Sequence, residues 1–260
     1  MIAHLKNGVR FFRFSLFKGF TDLVHGVFGR HGGYSPVPYD SLNVGLNGGD
    51  APDRVQLNRC RVADCMGANR PLVFARQVHG TDVASLKRKD TISDRVKIPP
   101  DITADAMVTD IPGMPLGIQL ADCQAILMYD PLNRVVANVH SGWRGSIQNI
   151  VGKTIERMQS DFSCRPSSIR AAVSPSLGPC CGEFKNYQTE IPEKFWCYRD
   201  DRERFNFWAL TRDQLTEAGV LLEHIELSGI CTRCNGHLFY SYRQTPETGR
   251  FAAVIGLIND

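Results

Sequence analysis

The stretch that decides the fold spans residues 125–140 and reads AILMYD, PLN, RVVANVH. Two apolar runs, at residues 125–130 and 134–140, are separated by a short polar segment that contains proline and asparagine. This pattern is typical of two strands joined as a β-hairpin. The stretch therefore predicts an antiparallel strand pair in the core of the protein.

This hairpin brings two chemically active side chains to its open end. A three-residue loop places Cys123 opposite Ser141, one step from His140, and a two-residue loop shifts the pairing by only one position. In either register the two side chains lie within roughly 5 to 8 Å of each other. Both also stand where a strand ends, next to the glycine-bearing segment 141–145, and such positions reach a surface cleft more readily than mid-strand positions.

Working outward, further strands are predicted from short apolar runs bounded by turn residues. These runs lie at residues 71–75, 106–109, 116–120, 171–174 and 251–258. Apolar residues between 147 and 158 recur with the spacing of one helix face, and a second helix is predicted at 206–218, closed by Gly219. Strands and helices mixed without strict alternation predict an α+β layered domain and not a doubly wound one.

Composition sets the broad class. With 43% apolar and 22% charged residues, the 260-residue chain is an ordinary globular sequence, long enough for one large or two small domains. A net charge of +3 is too weak to indicate nucleic acid as a partner.

The apolar stretches at the start are interrupted by Lys6, Arg10, Arg13 and Lys18, so neither a signal peptide nor a membrane span is predicted. We therefore expect a cytoplasmic protein with reduced thiols. The charged stretch 87–101 is expected to be an exposed loop.

The nine cysteines are mostly expected to be buried, unreactive thiols. The C-x-x-C at residues 231–234 has no evident second pair, so unligated thiols are expected there. Cys180 and Cys181 are interpreted as packing residues. The segment 193–204 is interpreted as an exposed insertion or a partner surface.

A third residue joins Cys123 and His140 as a candidate ligand. His79 also stands at the end of a strand and precedes a glycine. Two imidazoles and one thiolate make a three-ligand zinc site with a free fourth position, which is the pattern of catalytic zinc. Histidines hydrogen-bonded in the core are the alternative, since the spacing matches no compact metal motif.

Five ordered motifs carry a family resemblance. They are Gln77-Val78-His79-Gly80, Ala104-Asp105-Ala106-Met107-Val108-Thr109, Ala121-Asp122-Cys123, His140-Ser141-Gly142-Trp143-Arg144-Gly145 and Gly178-Pro179-Cys180. The match continues through the segments 207–220 and 239–250, so it covers nearly the whole chain. In this the sequence resembles the multicopper polyphenol oxidoreductase (laccase-domain) family, also called the peptidoglycan editing factor family.

The resemblance implies one domain over residues 1–260, built as a layered α/β/β/α-type sandwich with a mixed sheet. It implies that His79, Cys123 and His140 bind zinc at the active site. It also implies a purine nucleoside phosphorylase that acts on adenosine, inosine and S-methyl-5'-thioadenosine with phosphate, and that deaminates adenosine. Copper is the less favoured metal, because a laccase needs many histidines and this chain has seven.

Three further residues are candidate substrate contacts. Arg144 is a candidate phosphate ligand, because it precedes a helix expected to begin near Ser146, where the helix dipole favours anions. Asp122 is expected either to orient a metal ligand or act as an acid–base group, or to make a structural hydrogen bond. Asn43 lies in a glycine-rich loop that resembles the family's substrate-side segment.

Other functions remain open from the sequence. A cysteine nucleophile with a histidine base would suit an amidase that edits cell-wall precursors, and it would not need His79. A laccase-like polyphenol oxidase and a binding protein with a structural zinc closed by Cys180 are further alternatives. We expect small-molecule partners, namely a purine nucleoside and phosphate, no nucleic acid, no membrane, and a monomer or weak homo-oligomer.

Overall fold

The computed structural model describes residues 1–67, 71–88 and 102–258. Residues 89–101 of the loop expected at 87–101 lie outside this range. The described residues form twelve strands: β1 Ile2–Lys6, β2 Val9–Arg13, β3 Leu23–Phe28, β4 Val73–Phe74, β5 Val83–Leu86, β6 Ala106–Thr109, β7 Leu116–Leu120, β8 Gln124–Asp130, β9 Val135–Ser141, β10 Arg170–Val173, β11 Ile225–Leu227 and β12 Phe251–Leu257. They also form five α-helices: α1 Pro52–Met66, α2 Trp143–Ile147, α3 Ile150–Phe162, α4 Tyr187–Glu190 and α5 Phe207–Glu217.

The strands make two six-stranded sheets. The first has the order β1-β2-β3-β12-β7-β4, and the second has the order β11-β10-β8-β9-β6-β5. Most neighbours are antiparallel, but β4 runs parallel to β7, β5 to β6, and β10 to β11. Both sheets are therefore mixed, as the predicted fold class requires.

The predicted hairpin is confirmed as β8 and β9, with one correction to its turn. Four residues at 131–134 join the strands, not three, and Asp130 pairs with Val135. The Asp130 carboxylate accepts hydrogen bonds from the Leu132 backbone and the Asn133 side chain, which closes the longer turn. At the open end Gln124 pairs with Ser141, so Cys123 lies one residue beyond the paired strands, near His140.

The two sheets pack face to face with helices on both outer sides. Alternate residues of β8 enter different cores: Leu127 faces the core between the sheets, and Met128 faces α3. Helix α1 covers the outer face of the first sheet through Val62 and Met66. Both faces of β8 and β9 are thus buried, which is why these strands read as continuous apolar runs. The layers are α/β/β/α, as expected.

The helix predicted from the spacing at residues 147–158 is two helices. Ile147 ends the short helix α2, and Asn149 then caps α3 by accepting a hydrogen bond from the Gly152 backbone. The left-handed backbone of Asn149 breaks the helix between them. The second predicted helix is confirmed as α5. Within the described residues, none of the helices is long and apolar enough to cross a membrane.

Candidate active site and metal centre

Cys123 lies where the chain crosses from one sheet to the other. Residues 121–123 connect β7 of the first sheet to β8 of the second, and Asp122 takes a left-handed backbone with φ of 87°. Both carboxylate oxygens of Asp122 are occupied, by the Thr232 hydroxyl at 2.6 Å and the Arg243 backbone N–H at 2.6 Å. These hydrogen bonds hold the crossing in one conformation, which favours the structural role among those expected for Asp122.

His140 lies near the end of β9 and is oriented by a buried carboxylate. Its Nδ1 lies 2.8 Å from Oδ1 of Asp105, and both side chains are almost fully buried. Since an ionised carboxylate only accepts hydrogen bonds, Nδ1 carries the proton and donates it. Nε2 of His140 is thereby left as the nitrogen that can bind a metal.

The same carboxylate fixes the loop that carries His79. Asp105 accepts hydrogen bonds from the backbone N–H groups of Val78, His79 and Gly80, at 3.2, 2.9 and 2.7 Å. His79 has φ of 60°, which is uncommon for a residue with a side chain, and these hydrogen bonds offset its cost. No role was predicted for Asp105 from the sequence, although this residue lies in one of the five motifs. Asp105, not Asp122, orients the two histidine ligands.

The three predicted ligands come together. Cys123 Sγ lies 3.8 Å from Nε2 of His79, and the two imidazole rings meet edge to face with centroids 4.8 Å apart. Their ligand atoms all lie within 4.8 Å of one another. A Cβ at Gly142 would lie 2.9 Å from the His79 ring and 3.1 Å from Cys123 Sγ, so glycine at this position leaves room for the group. The arrangement fits one metal ion bound by two nitrogens and a thiolate.

The thiol and the imidazole influence each other's protonation. Burial raises the pKa of Cys123, but the neighbouring imidazoles of His140 and His79 outweigh it and lower the pKa to about 6. Burial lowers the pKa of His140, but the Cys123 thiolate and Asp105 raise it to about 9. Without a metal, the site therefore holds a thiolate beside an imidazolium near neutral pH.

Metal affinity is expected to depend on pH in a defined direction. Between pH 6.5 and 8.5 the thiolate of Cys123 is already formed, while a metal must displace the proton on Nε2 of His140. Apparent affinity should then rise about tenfold per pH unit, because one proton is released per ion bound. Zinc titration against a competing chelator at several pH values measures this slope. An affinity that does not change with pH would contradict the assignment of His140 as a ligand.

Cys180, which the sequence offered as a closing fourth ligand, lies elsewhere. It belongs to a separate group with three other cysteines. Among the described residues the group of His79, Cys123 and His140 has three members only. An ion held there keeps an open position, as catalytic zinc sites do.

These residues line a pocket of about 570 Å³, a volume within the usual range for small-molecule sites. Four arginines line it: Arg76, Arg144, Arg243 and Arg250. Four aromatic residues also line it: Trp143, Phe184, Phe207 and Tyr242. Asp122 is the one acidic residue among the described lining residues. The pocket is therefore suited to an anion and to a flat ring.

Arg144 lines the pocket, but the prediction of a helix that begins after it, near Ser146, is wrong. Arg144 lies within the short helix α2, and the longer α3 begins only at Ile150. Its exposed guanidinium stacks over the Trp143 ring at 4.2 Å. In the part of the chain that the structure describes, it has no carboxylate partner. Any interaction with phosphate would therefore come from this guanidinium and not from a helix dipole.

Asn43 also lines the pocket, with its polar atoms already engaged. Its Nδ2 donates to Gly45 O and to Asp50, and its Oδ1 accepts from the Gly45 and Arg250 backbones. Asn43 is 1% exposed. These hydrogen bonds order the glycine-rich loop against Arg250, so Asn43 shapes the pocket wall, and its predicted substrate contact stays a prediction.

The two-sheet α+β fold and a His-Cys-His group that fits a metal define a known class of protein. The chain belongs to the family described as multi-copper polyphenol oxidoreductase laccase, whose model matches residues 24–258.

Its relatives carry a different functional name. The chain is 34% identical over 239 residues to "Purine nucleoside phosphorylase YfiH" of Shigella flexneri, covering 88% of this chain and 91% of the relative. It is 33% identical over 253 residues to "Purine nucleoside phosphorylase YlmD" of Geobacillus stearothermophilus, covering 91% of each. The crystal structure of YlmD from Geobacillus stearothermophilus superposes with a TM-score of 0.85 at 30% identity, covering 98% of both chains.

Proposed function

We propose that this protein is a zinc-dependent purine nucleoside phosphorylase of the cytoplasm. Its substrates would be adenosine, inosine or S-methyl-5'-thioadenosine with phosphate, and its products a purine base and a ribose 1-phosphate. The observation that carries the proposal is the convergence of His79, Cys123 and His140 on a pocket lined by four arginines and four aromatic rings. The names of the relatives support the same reaction.

His79, Cys123 and His140 would hold the zinc ion. Two imidazoles, one thiolate and an open position match the donor set of catalytic zinc. A multicopper centre needs more histidine ligands, and the other five histidines of the chain belong to neither of the described groups that fit a metal. When bound here, zinc supplies a Lewis acid that withdraws electron density from the reacting nucleoside.

The protein's own residues bind and orient the reactants. Aromatic rings such as Trp143 and Phe207 stack on the purine and exclude water from one side of the ribose. Arginines such as Arg144 and Arg243 hold phosphate by charge-assisted hydrogen bonds. In the reaction the bond between C1′ of the ribose and N9 of the purine breaks, and an oxygen of phosphate bonds to C1′. The purine leaves with the electron pair and is protonated.

Adenosine deamination would use the same pocket without phosphate. A water oxygen replaces the amino group at C6 of the purine, and ammonia is released. Asp105 holds His140 in one orientation, so the Nε2 atom that would bind the metal has a fixed position in the pocket.

A nucleoside panel tests the proposal directly. Zinc-loaded protein is incubated with adenosine, inosine and S-methyl-5'-thioadenosine, with and without phosphate, and the products are separated by chromatography. We expect free base and the sugar 1-phosphate only where phosphate is present: ribose 1-phosphate from adenosine and inosine, and 5-methylthioribose 1-phosphate from S-methyl-5'-thioadenosine. Inosine should form from adenosine in both conditions. Absence of base release from every nucleoside would contradict the phosphorylase proposal.

Replacing Arg144 tests the phosphate position. A charge-assisted hydrogen bond contributes about 1.5 to 3 kcal/mol, so Arg144→Ala should raise the KM for phosphate by roughly 10- to 100-fold. The KM for the nucleoside should stay near the wild-type value. Steady-state kinetics with each substrate varied in turn separate the two effects, and exposed Arg212, on α5, provides the control Arg212→Ala. A rise confined to the nucleoside KM would place Arg144 at the ribose or base instead.

A further inference from the structure

A second group of cysteines lies outside the pocket described above. Four thiols with ligand atoms within 4.8 Å of one another form a four-cysteine cluster: Cys180, Cys181, Cys231 and Cys234. Cys234 Sγ lies 3.6 Å from Cys180 Sγ and 3.5 Å from Cys181 Sγ. The C-x-x-C at residues 231–234 therefore has a second pair, contrary to the expectation from sequence, and Cys180 and Cys181 are not simply packing residues.

The fold itself brings these distant cysteines together. Strands β10 and β11 run parallel, so the segments that follow them leave from the same edge of the sheet. Ser176 then joins the two segments, because its N–H donates to Ile230 O and its C=O accepts from Thr232 N–H. Cys231 lies within this connection, opposite Ser176, and the other three cysteines follow a few residues after it on the two segments. Their closeness follows from strand topology and backbone hydrogen bonds, not from collapse of side chains alone.

Two glycines allow the close packing around the cluster. A Cβ at Gly178 would lie 3.0 Å from Cys231 Cβ and 2.8 Å from the Trp208 ring. A Cβ at Gly182 would lie 2.8 Å from Phe205 O. Glycines at both positions thus let the segment that carries Cys180 and Cys181 lie directly on its neighbours. A side chain at Gly178 would push this segment away from Cys231.

We propose that the four-cysteine cluster binds a structural zinc ion. A zinc–sulfur distance of about 2.3 Å in a tetrahedron places the sulfurs about 3.8 Å apart, close to the separations of 3.5 and 3.6 Å. Four thiolates around one ion favour zinc over hard cations, and four protein ligands leave no open position. Arg204, which is paired with Asp200, donates to Cys180 O at 3.4 Å and helps to hold this segment in place.

This second metal would also stabilise the candidate active site. Thr232, inside the C-x-x-C, donates to the Asp122 carboxylate, and the Leu177 N–H donates to Asp122 O at 2.8 Å. Both segments that carry the cluster therefore hold the residue that precedes Cys123. A zinc ion that joins the two segments fixes that crossing between the sheets.

Metal stoichiometry in matched variants tests the proposal. Protein made in zinc-supplemented medium and purified under reducing conditions is analysed for zinc and iron by elemental and native mass spectrometry. We expect two zinc ions per wild-type chain, one in Cys123→Ala, one in Cys234→Ser and none in the double variant. Cys197→Ser, which removes an exposed thiol outside the cluster, should keep both.

Spectroscopy on Cys123→Ala identifies the remaining ion without relying on activity or on the folding of a cluster variant. Zinc X-ray absorption should show only sulfur neighbours, at about 2.3 Å. Three results would overturn the proposal: Cys123→Ala free of zinc, iron in place of zinc, or an intact mass that gains hydrogens on reduction and so reveals a disulfide in the cluster. None of these results depends on whether the pocket is a phosphorylase.

Discussion

Cys123→Ala is expected to lose the zinc of the His79 and His140 site and to slow nucleoside phosphorolysis by roughly 10³-fold. The variant removes the thiolate from a three-ligand group, so a single pair of imidazoles remains. Lewis-acid stabilisation is worth several kcal/mol, and about 4 kcal/mol corresponds to roughly 10³ in rate. Phosphorolysis is measured at saturating phosphate beside the zinc content of the same sample. Cys60→Ala, which changes an exposed thiol on α1, is the matched control and should keep both.

A second variant, His79→Ala, separates metal binding from nucleophilic catalysis by cysteine. An amidase built on Cys123 and His140 needs no second histidine. His79→Ala should abolish activity with Cys123 intact if the site binds zinc, and should leave activity largely unchanged if the thiolate is a nucleophile. Wild-type rate and zinc content in both Cys123→Ala and His79→Ala would contradict the metal centre itself.

Much of the fold could be predicted because the deciding patterns are local. The hairpin of β8 and β9 follows from two apolar runs and a turn, and it brings Cys123 near His140 whichever register is adopted. The turn was one residue longer than predicted because Asp130 caps it with its own side chain. The break between α2 and α3 was missed because apolar spacing continues through Asn149, whose backbone conformation no spacing reveals.

The supporting residues could not be predicted because they act across long separations. Asp105 lies 35 residues from His140 and 26 from His79. The pairing of β6 with β9 brings it to His140, and the pairing of β5 with β6 brings it to the His79 loop. In the four-cysteine cluster, Cys234 contacts cysteines that lie 53 and 54 residues away in sequence. From sequence alone, a C-x-x-C with no second pair nearby is interpreted as unligated thiols. Only the parallel pairing of β10 and β11 places a second pair of cysteines beside it. Residues that are close in sequence are held near one another by the chain itself, whereas these residues are brought together only by tertiary structure.

Asp105→Asn is expected to weaken both the metal site and the fold. The carboxylate accepts hydrogen bonds from His140 Nδ1 and from three consecutive backbone N–H groups. In asparagine an NH2 group replaces one of the two oxygens and cannot accept these hydrogen bonds. Loss of such a partner typically reduces metal affinity by about 10- to 100-fold. Breaking a buried charged pair costs about 3 to 5 kcal/mol of unfolding free energy. Zinc competition titration and urea unfolding of the metal-free protein measure the two effects, with exposed Asp64→Asn as control.

The pH dependence of that loss shows which hydrogen bonds are responsible. Burial raises the pKa of Asp105, but the His140 and backbone hydrogen bonds outweigh it and keep the pKa below its usual value, so their stabilisation disappears as acid protonates the carboxylate.

In the metal-free protein the pKa of His140 is raised to about 9, against burial, by the Cys123 thiolate and Asp105. The contribution of the His140–Asp105 ion pair to the free energy of unfolding is therefore complete below the ordinary histidine pKa of about 6.5 and is lost as pH rises through 9. The stability difference between wild type and Asp105→Asn should shrink over that interval but not vanish, because the backbone N–H groups of the His79 loop do not titrate. A difference that stays constant from pH 6 to pH 10 would mean that Asp105 supports the loop alone and leaves His140 free to turn.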